Sequence, residues 1–471
     1  MSLVAAAALV GTTVYVLFHR RAFKRLMRRP PSIQEMALRW QRDLLTNVVP
    51  FWDTHSLDKD FGGYFTALAR NGSRLEDTKY AWLQARAVWT WSRLYNDLRN
   101  RVPGHVSQRW FENASLGAGF LPRLKDDATG RLYFSTTRDG IPLHFQRKPY
   151  AAVFYVLAAL EFAEAVRTRD GDAREASGWE AEAVKYYELL RRWIDTPEEL
   201  GRVPAPSGTR QEAGGSGTPC AISVLADIMC LACLAEEMLK RIPEKRERWL
   251  ADVADAQRRV AKHYDPAQRV LHEFAHPVRG VEHDTPNGRL LNPGHSIEVA
   301  WFLLRLCELR PDAQLHHLAL DALEGSLERG WDAEQGGGLF YMLDVHGEPL
   351  ADATVTAEHK LWWPLCEALY GCMLALELTR DEVRWLPWLQ RVHTYIYDHL
   401  CDDGCEHAGG GGEWFGYLRR DGSVYNAGAK GGNYKGFFHV PRCLLFALAS
   451  ASRYLGGDEA AGLTQGYAAA A

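Results

Sequence analysis

The sequence lacks most of the short motifs by which enzymes are commonly recognised. No G-x-x-x-x-G-K-[ST] loop, no G-x-G-x-x-G after a strand pattern and no G-x-S-x-G turn occurs, which argues against the usual phosphate, dinucleotide and serine-hydrolase sites. The histidine-bearing helices carry no H-E-x-x-H and no histidine pair at i, i+4, and Cys230 and Cys233 form a lone C-x-x-C in an apolar helical pattern. We therefore predict no metal site and no required cofactor. General acid–base chemistry by histidine, whose pKa suits neutral pH, is the chemistry that this leaves.

Acidic residues outnumber basic residues outside the first thirty positions. The first thirty residues hold six Lys and Arg and no acid, which leaves 49 basic against 59 acidic side chains in the rest of the chain. An acidic body does not suit nucleic acid, whose phosphates need a basic surface, so we predict no nucleic-acid partner. The nine cysteines are odd in number and scattered, which favours free thiols in a reducing compartment over a disulfide framework.

The N-terminus differs in composition from the rest. Residues 3–18 form an almost uninterrupted apolar run, and the basic segment 20–29 follows it directly. A cleavable secretory signal has its charges before the apolar run, whereas here they follow it and would hold the body in the cytoplasm. We predict a membrane anchor with a basic flank at 1–31, with a targeting peptide as the competing interpretation, and a disordered tail at 456–471.

From Ile33 onward the chain repeats a unit with an Asp- and Gly-rich turn, a short aromatic strand, a second turn and a helix that usually opens at proline. The intervals between successive prolines are 70, 74, 71 and 77 residues. Proline is tolerated in the first helical turn because its missing N–H would be unpaired there. The helix openings are at Pro149, Pro219, Pro293, Pro364 and Pro441, with Lys79–Trp82 in the same register at the front.

Six helix openings predict an all-α fold, an (α/α)6 barrel over residues 32–455 with short β-hairpin turns at the active-site mouth. Units of this length stack so that neighbours bury a shared core, and an open solenoid is the alternative arrangement. No obvious polar capping repeat is present, which favours the closed ring. In such a ring the turns before the inner helices gather around one mouth, and residues at those helix starts converge on a cleft.

Polar side chains stand out at four of these helix openings. Asn292 and Pro293 are typical of a cap and first turn, and the helix that follows places His295 and Glu298 on one face. The two later openings bring Trp363 to the same face as Glu367 and put a histidine and an arginine around the last proline. The candidate residues are His295, His439, Arg86, Glu298, Trp363, Glu367, Lys435 and Arg442.

Each candidate also has a simpler interpretation. A lone histidine near an apolar helix is more often a core or surface residue than a catalyst. Glu298 and Glu367 could simply favour helix dipoles, and Arg86 could extend from a core stripe toward solvent. The equivalent positions of two histidines and two acids in one repeat favour a functional role, because a closed ring would bring them together.

At these segments the sequence resembles the N-acylglucosamine 2-epimerase family, especially its animal-type members, which are also called renin-binding protein. The resemblance covers about residues 36–450. It rests on GGYF at 62–65, KYAWLQAR at 79–86, NPGHSIEVAWFLLR at 292–305, KLWWP at 360–364, GEWFGYL at 412–418 and KGGNYKGFFHVPR at 430–442.

The resemblance implies an (α/α)6 barrel that interconverts N-acetylglucosamine and N-acetylmannosamine, with the family's two catalytic histidines at His295 and His439. The sugar ring opens, a base removes the proton from carbon 2, and a proton returns on the other face of the enediol-like anion. By the same analogy His439 removes the proton in the gluco-to-manno direction and His295 returns it. Arg86 would stabilise the oxyanion. The remaining residues would bind substrate or orient the histidines, and they are Glu298, Trp363, Glu367, Lys435 and Arg442.

Two other functions stay open on these residues. One is an aldose–ketose isomerase or an other-sugar 2-epimerase that uses the same site, and the other is a non-catalytic, renin-type binding protein. The resemblance also implies ATP as an allosteric effector and a homodimer, although no nucleotide motif is visible and nothing in the sequence indicates dimerisation.

Overall fold

A computed structural model of the protein describes residues 29–201, 222–347, 358–402 and 411–456. The predicted anchor at 1–31 and the predicted tail at 456–471 lie outside these ranges, apart from residues 29–31 and Gly456. Among the helices of these ranges, none has both the length and the apolar composition that crossing a membrane requires.

The described ranges contain thirteen α-helices. A π-helical turn at Leu44–Val48 joins the first two into one bent helix. In chain order the helices are α1 (Ile33–Asp43), α2 (Val49–His55), α3 (Ala81–Leu98), α4 (Gly104–Ala118), α5 (Tyr150–Asp170), α6 (Ala173–Asp195), α7 (Leu225–Arg241), α8 (Arg246–Ala261), α9 (Pro293–Leu309), α10 (Ala313–Gly330), α11 (Trp362–Thr379), α12 (Glu382–Tyr395) and α13 (His439–Leu455).

The helices form two concentric rings. The inner ring is α3, α5, α7, α9, α11 and α13, in which successive members pack side by side, and each packs on the outer helix of its own pair. Inner helices are covered on nearly every side, so helix α11 is apolar almost throughout. Outer helices bury one stripe, as in α8, where the buried residues include Trp249, Val253, Ala256 and Val260.

The first outer helix closes the ring. Helix α1 packs on α13, the last inner helix, so the two ends of the body meet. Helix α13 is also tied to α3, because Thr90 donates a 2.6 Å hydrogen bond to the carbonyl oxygen of Phe437 and Trp89 lies edge-on to Phe438 at 5.1 Å. The predicted (α/α)6 barrel is therefore confirmed.

The strands are short and lie in the turns at one end of the ring. The strand before an inner helix pairs, antiparallel, with a strand of a later turn, in β1–β2, β4–β7, β8–β9 and β10–β11. Two further pairs, β2–β3 and β5–β6, are hairpins. In chain order they are β1 (Lys79–Tyr80), β2 (Tyr133–Thr136), β3 (Pro142–Phe145), β4 (Ser223–Val224), β5 (Tyr264–Asp265), β6 (Val270–Leu271), β7 (Phe274–Ala275), β8 (Leu290–Leu291), β9 (Leu343–Asp344), β10 (Lys360–Leu361) and β11 (Tyr417–Leu418).

The predicted prolines lie at the starts of inner helices. Pro149 caps α5, Pro293 is the first residue of α9, and Pro364 and Pro441 are the third residues of α11 and α13. Pro219 lies outside the described ranges. Two of the aromatic segments predicted as strands, 62–65 and 338–341, form only single bridges to the preceding turn.

Three turns, each of which follows an outer helix, contain the same kind of buried ion cluster. In each, an aspartate accepts hydrogen bonds or ion pairs from a lysine and an arginine of other turns, and the lysine side chain is fully buried. We call these the aspartate turns. Their members are Asp58 with Lys79 and Arg138, Asp332 with Lys360 and Arg420, and Asp402 with Lys430 and Arg70.

Candidate active site

His295 sits in the first turn of α9. The side chain of Asn292 caps this helix by accepting a hydrogen bond from the His295 backbone N–H at 3.1 Å, which fixes where the imidazole leaves the helix. Nδ1 of His295 lies 2.8 Å from Oε2 of Glu273, a residue in the connection between β6 and β7. Since Nδ1 is engaged, Nε2 is the ring nitrogen left for the cleft.

His439 is the first residue of α13, and its ring is buried. Its Nδ1 lies 2.8 Å from Oε1 of Glu367 on α11. The two candidate histidines therefore have the same local arrangement, a glutamate on Nδ1 and Nε2 free of any partner in the described ranges. A carboxylate on Nδ1 fixes the tautomer whose Nε2 can take or give a proton.

Arg442 lies behind His439, one helical turn along α13. Its Nη2 donates to Oε1 of Glu298 and to Oε1 of Glu367, both at 2.6 Å. The indole N–H of Trp301 donates a hydrogen bond to the other carboxylate oxygen of Glu367, Oε2, at 3.1 Å. Glu298 was predicted to share a face with His295 and does so, but its carboxylate is bonded to the arginine and not to that histidine.

The pKa values of the two histidines are displaced in opposite directions. Burial disfavours the charged form of His295, but the charge and hydrogen bond of Glu273 outweigh it and raise its pKa above the ordinary value. Burial, with the nearby charges of Arg86 and Arg442, lowers the pKa of His439 well below the ordinary value. Compared with an ordinary histidine, the surroundings favour the protonated form of His295 and the neutral form of His439.

Trp363 lies between the two histidines. Its ring centre is 5.1 Å from that of His295 and 5.9 Å from that of His439. The backbone of α9 approaches this ring so closely that a Cβ atom at Gly294 would lie 2.6 Å from it, which explains the glycine at this position. Tyr341 stands edge-on to Trp363 at 6.3 Å and extends the aromatic wall.

Arg86 faces the same cleft from α3. Its guanidinium carbon lies 3.9 Å from the ring centre of Phe154 and 4.9 Å from those of Trp82 and Phe438. No ion pair of Arg86 occurs in the described part of the chain, and its Nε is buried without a hydrogen-bond partner. Burial and the charge of Arg442 lower its pKa to about 9, so it stays charged at neutral pH. A buried cation without a carboxylate partner is suited to an anion that forms in the cleft.

Lys435 was predicted to bind substrate, and the structure gives it another environment. Its ammonium group lies 3.1 Å from Oε1 of Glu413 and donates to the carbonyl oxygen of Lys430 at 2.8 Å. Only 1% of the side chain is exposed. The ammonium group therefore stabilises the turn before α13 and is not presented to the cleft. Arg442 is likewise held behind the histidine by two carboxylates, so a positioning role replaces the predicted substrate contact.

Glu273, the partner of His295, is not among the residues predicted from the sequence. The letters His272-Glu273-x-x-His276 do match H-E-x-x-H, but they run through β7 and not through a helix, so the two histidines share no helical face. Nδ1 of His276 accepts hydrogen bonds from two backbone N–H groups of its own turn. The sequence feature that could have indicated Glu273 is an acidic residue in the strand segment before the helix that carries His295.

Glu298, Glu367 and His439 approach one another closely enough to ligate a metal ion. The Nη2 of Arg442, however, lies 2.6 Å from both carboxylates and 3.4 Å from Nδ1 of His439. The guanidinium group therefore supplies the positive charge that a metal ion would bring to these three side chains. His439 is therefore surrounded by a preformed network of charges.

The chain is similar to known proteins over nearly its whole length. The sequence profile of the family described as N-acylglucosamine 2-epimerase (GlcNAc 2-epimerase) matches residues 63–443. N-acylglucosamine 2-epimerase of Bos taurus is 35% identical over 411 residues, covering 85% of this chain and 87% of the relative. The protein of the same name from Homo sapiens is 33% identical over 406 residues, covering 85% and 86%.

Solved structures with the same fold are more distant in sequence. Cellobiose 2-epimerase from Spirochaeta thermophila DSM 6192 superposes with a TM-score of 0.69 at 22% identity, over 90% of this chain and 98% of that one. A D-mannose isomerase superposes with a TM-score of 0.68 at 16% identity, over 90% and 100%. At such identities the likeness establishes the fold alone.

Proposed function

Because the chain belongs to the N-acylglucosamine 2-epimerase family and is an isomerase, we propose that it interconverts N-acetylglucosamine and N-acetylmannosamine. The observation that carries this proposal is the pair His295 and His439. Each has a glutamate 2.8 Å from Nδ1, and the two rings flank Trp363.

Epimerisation at carbon 2 needs a base on each face of that carbon. The open-chain sugar has an aldehyde at carbon 1, which acidifies the proton on carbon 2. In the gluco-to-manno direction Nε2 of neutral His439 takes this proton, and the electrons move into an enediolate. Nε2 of protonated His295 then returns a proton to the opposite face. A single histidine would tend to restore the original configuration.

The charges around the histidines support this direction of transfer. Glu273 raises the pKa of His295, so this side chain starts as the acid, whereas the lowered pKa of His439 makes it the base. Glu367 contacts His439 too, but its negative charge is shared with Arg442 at 2.6 Å. Burial and the charges of Arg86 and Arg442 together lower the pKa of His439, whereas the charge and hydrogen bond of Glu273 outweigh burial at His295.

Arg86 is proposed to stabilise the enediolate oxygen. A preorganised charged donor at such an oxygen commonly contributes about 3 kcal/mol to lowering the barrier. Trp363 forms a wall against which the sugar stacks, and Glu298 holds Arg442 in place. These residues, with Glu367, form the proposed binding set, and Lys435 is left out of it because its ammonium group is buried with Glu413.

The proposal is tested by incubating the protein with N-acetylmannosamine in heavy water. We expect N-acetylglucosamine with deuterium at carbon 2, because the returning proton comes from a histidine that exchanges with solvent. His295→Asn and His439→Ala should each abolish turnover and leave the circular dichroism spectrum unchanged. A ketose product, a product without deuterium, or near wild-type turnover in either variant would contradict the scheme.

The animal-type resemblance supports two further proposals, ATP as an allosteric effector and a homodimer. Turnover measured with and without ATP tests the first, and sedimentation of the full chain tests the second. Equal turnover in both conditions, or a monomer at micromolar concentration, would contradict the respective proposal.

We also propose that residues 1–31 anchor the protein to a membrane, with the body facing the cytoplasm. The apolar run at 3–18 and the basic flank at 20–29 support this proposal. Cell fractionation of the full chain and of a variant without residues 1–31 tests it. The full chain should sediment with membranes and the variant should not, whereas equal distribution would contradict an anchor.

A further inference from the structure

A cluster of metal-ligand side chains lies outside the active site, at the β5–β6 hairpin. Asp265 ends β5, His272 follows β6, and His283 lies in the loop after β7. Oδ2 of Asp265 is 3.4 Å from Nε2 of His272 and 3.1 Å from Nε2 of His283. One ligand atom from each residue lies within 4.8 Å of the other two.

Three polar atoms of the buried members of this cluster, Asp265 and His272, lack a hydrogen-bond partner among the described residues. Oδ1 of Asp265 accepts from the backbone N–H groups of Ala267 and Gln268, which fixes the carboxylate and directs Oδ2 at the histidines. Oδ2 itself and both ring nitrogens of His272 are buried without a hydrogen bond of acceptable geometry in the described residues. His272 is fully buried, whereas the His283 side chain is 49% exposed. Unpaired polar atoms in such a place are unfavourable unless something else binds them.

The three aspartate turns show one arrangement that the fold uses at this position. Asp265 ends an outer-helix connection just as Asp58, Asp332 and Asp402 do, and the Asp58 and Asp332 turns have similar backbone hydrogen bonds. Each of those three carboxylates has a lysine and an arginine as partners. Around Asp265 no lysine or arginine lies within ion-pair distance among the described residues, and two histidines face the carboxylate instead. The fixed cations of the other turns are therefore missing here.

We propose that Asp265, His272 and His283 bind one divalent transition-metal ion of the zinc type. Imidazole nitrogen and carboxylate oxygen are ligands that zinc accepts, and tetrahedral coordination separates them by about 3.3 Å from one another. The two separations from Asp265 Oδ2, 3.1 and 3.4 Å, agree with this value. The exposed side at His283 leaves room for a water molecule as the fourth ligand.

The ion would replace the missing cations and fasten the loop at 276–289 to the β5–β6 hairpin. His272 directly precedes Glu273, whose backbone N–H donates to Leu290 and whose carbonyl oxygen accepts from Leu225. The metal would thus stabilise the segment that presents Glu273 to His295. The metal site itself does not depend on the proposed reaction.

The test uses the full chain, stripped with a chelator and then titrated with Zn²⁺ alone. We expect one tightly bound equivalent and a higher melting temperature in its presence. His283→Gln, at a half-exposed position that the fold does not need, should weaken Zn²⁺ affinity at least roughly tenfold and abolish the thermal shift. His317→Gln is the matched control, because His317 is exposed and lies 3.2 Å from a single carboxylate, that of Asp321. Its Zn²⁺ affinity should equal that of the wild type.

Cobalt(II) distinguishes this site from the cysteines of the chain. Co²⁺ bound to two imidazoles and a carboxylate should give visible ligand-field bands without thiolate charge-transfer absorption. Thiolate bands, no stoichiometric uptake, or undiminished affinity in His283→Gln would each overturn the proposal. None of these readouts uses sugar turnover, so failure of the metal site and failure of the epimerase proposal can be told apart.

Discussion

His295 and His439 each have a glutamate at 2.8 Å, yet the pKa of the first is raised and that of the second is lowered. The difference lies in the residues that contact each of the two glutamates. No arginine or lysine lies within ion-pair distance of Glu273 in the described ranges, whereas Glu367 is bonded to Arg442. A carboxylate shared with a guanidinium group contributes less to protonating its histidine.

We predict that Glu273→Gln moves the alkaline limb of the pH profile of kcat/KM to lower pH. With N-acetylglucosamine as substrate, the proposed reactive state has His295 protonated and His439 neutral, so activity in this direction falls as pH rises through the raised pKa of His295. Removing the negative charge lowers that pKa, because the effect of burial is then opposed mainly by the more weakly acting charge of Glu298. The loss of the orienting carboxylate should also reduce kcat by about 100-fold or more. Initial rates between pH 5 and 9 measure both effects.

Glu334→Gln is the control for this variant, since Glu334 is an exposed glutamate in a neighbouring turn. Its pH profile should match that of the wild type. An alkaline limb that stays in place in Glu273→Gln would show that another group sets it.

We predict that Arg86→Met reduces kcat by roughly 100-fold while KM changes little. The substitution keeps much of the volume among the aromatic rings but removes the charge that would meet the enediolate, a loss of about 3 kcal/mol. Steady-state kinetics measure it, with Arg99→Met, at the far end of the same helix, as the matched control. A variant that raised only KM would indicate that Arg86 binds the ground state.

At the scale of elements, the site depends on how the starts of α9 and α11 approach each other. His295 follows Gly294, and Trp363 is the second residue of α11. The glycine lets the helix backbone touch the tryptophan ring, and this contact sets the separation of the two catalytic elements. A rigid helix start positions a side chain more firmly than a loop does.

We predict that Gly294→Ala lowers kcat/KM by about tenfold or more, because its Cβ would lie 2.6 Å from the Trp363 ring and force the two helix starts apart. Steady-state kinetics and the melting temperature measure the effect. Gly178→Ala is the matched control, since that glycine lies within α6 and has nothing within 4 Å of its Cβ position. The control should keep full activity, and equal activity in Gly294→Ala would contradict the proposed contact.

At the scale of the whole molecule, the aspartate turns join elements from distant parts of the ring. Asp402, for example, binds Arg70, which lies more than three hundred residues earlier and beyond the point of ring closure. Burial disfavours the charge of this carboxylate, but the hydrogen bonds from Arg70 and Lys430 outweigh it and lower its pKa to about 2. Asp58 behaves in the same way with Arg138 and Lys79.

We predict that the free energy of unfolding falls as pH drops from about 5 toward 2. A carboxyl group whose pKa is lower in the folded state than its ordinary value of 3.8 stabilises the fold above that value and loses this contribution through the folded-state pKa. Allowing for screening by solvent, each such aspartate contributes about 1 kcal/mol. Urea unfolding between pH 3 and 7 measures the slope.

Arg138→Gln should flatten this slope, because it removes one of the two partners that lower the pKa of Asp58. Arg147→Gln, at an exposed position in the following loop, is the control and should leave the slope unchanged. An identical slope in Arg138→Gln would exclude Asp58 as a source of the acid sensitivity.

The sequence by itself predicted the helical ring and most of the site. Prolines at a regular interval locate inner helix starts because proline is best tolerated in the first turn of a helix. His295, His439 and Glu367 all lie near the starts of inner helices, and a closed ring brings those starts together. These features depend on local chain geometry and on period, both of which are present in the order of residues.

Tertiary structure alone decided which charged groups meet. Glu273 comes 22 residues before its histidine in a strand segment, and nothing local indicates that the two pair. Lys435 and Arg442 looked like ligands in sequence, but buried carboxylates from other turns and helices hold both. The pKa of a histidine depends on every charge around it, and those charges come from elements far apart in the chain. The sequence therefore indicated where the histidines lie, and the assembled ring decided which charges surround each of them.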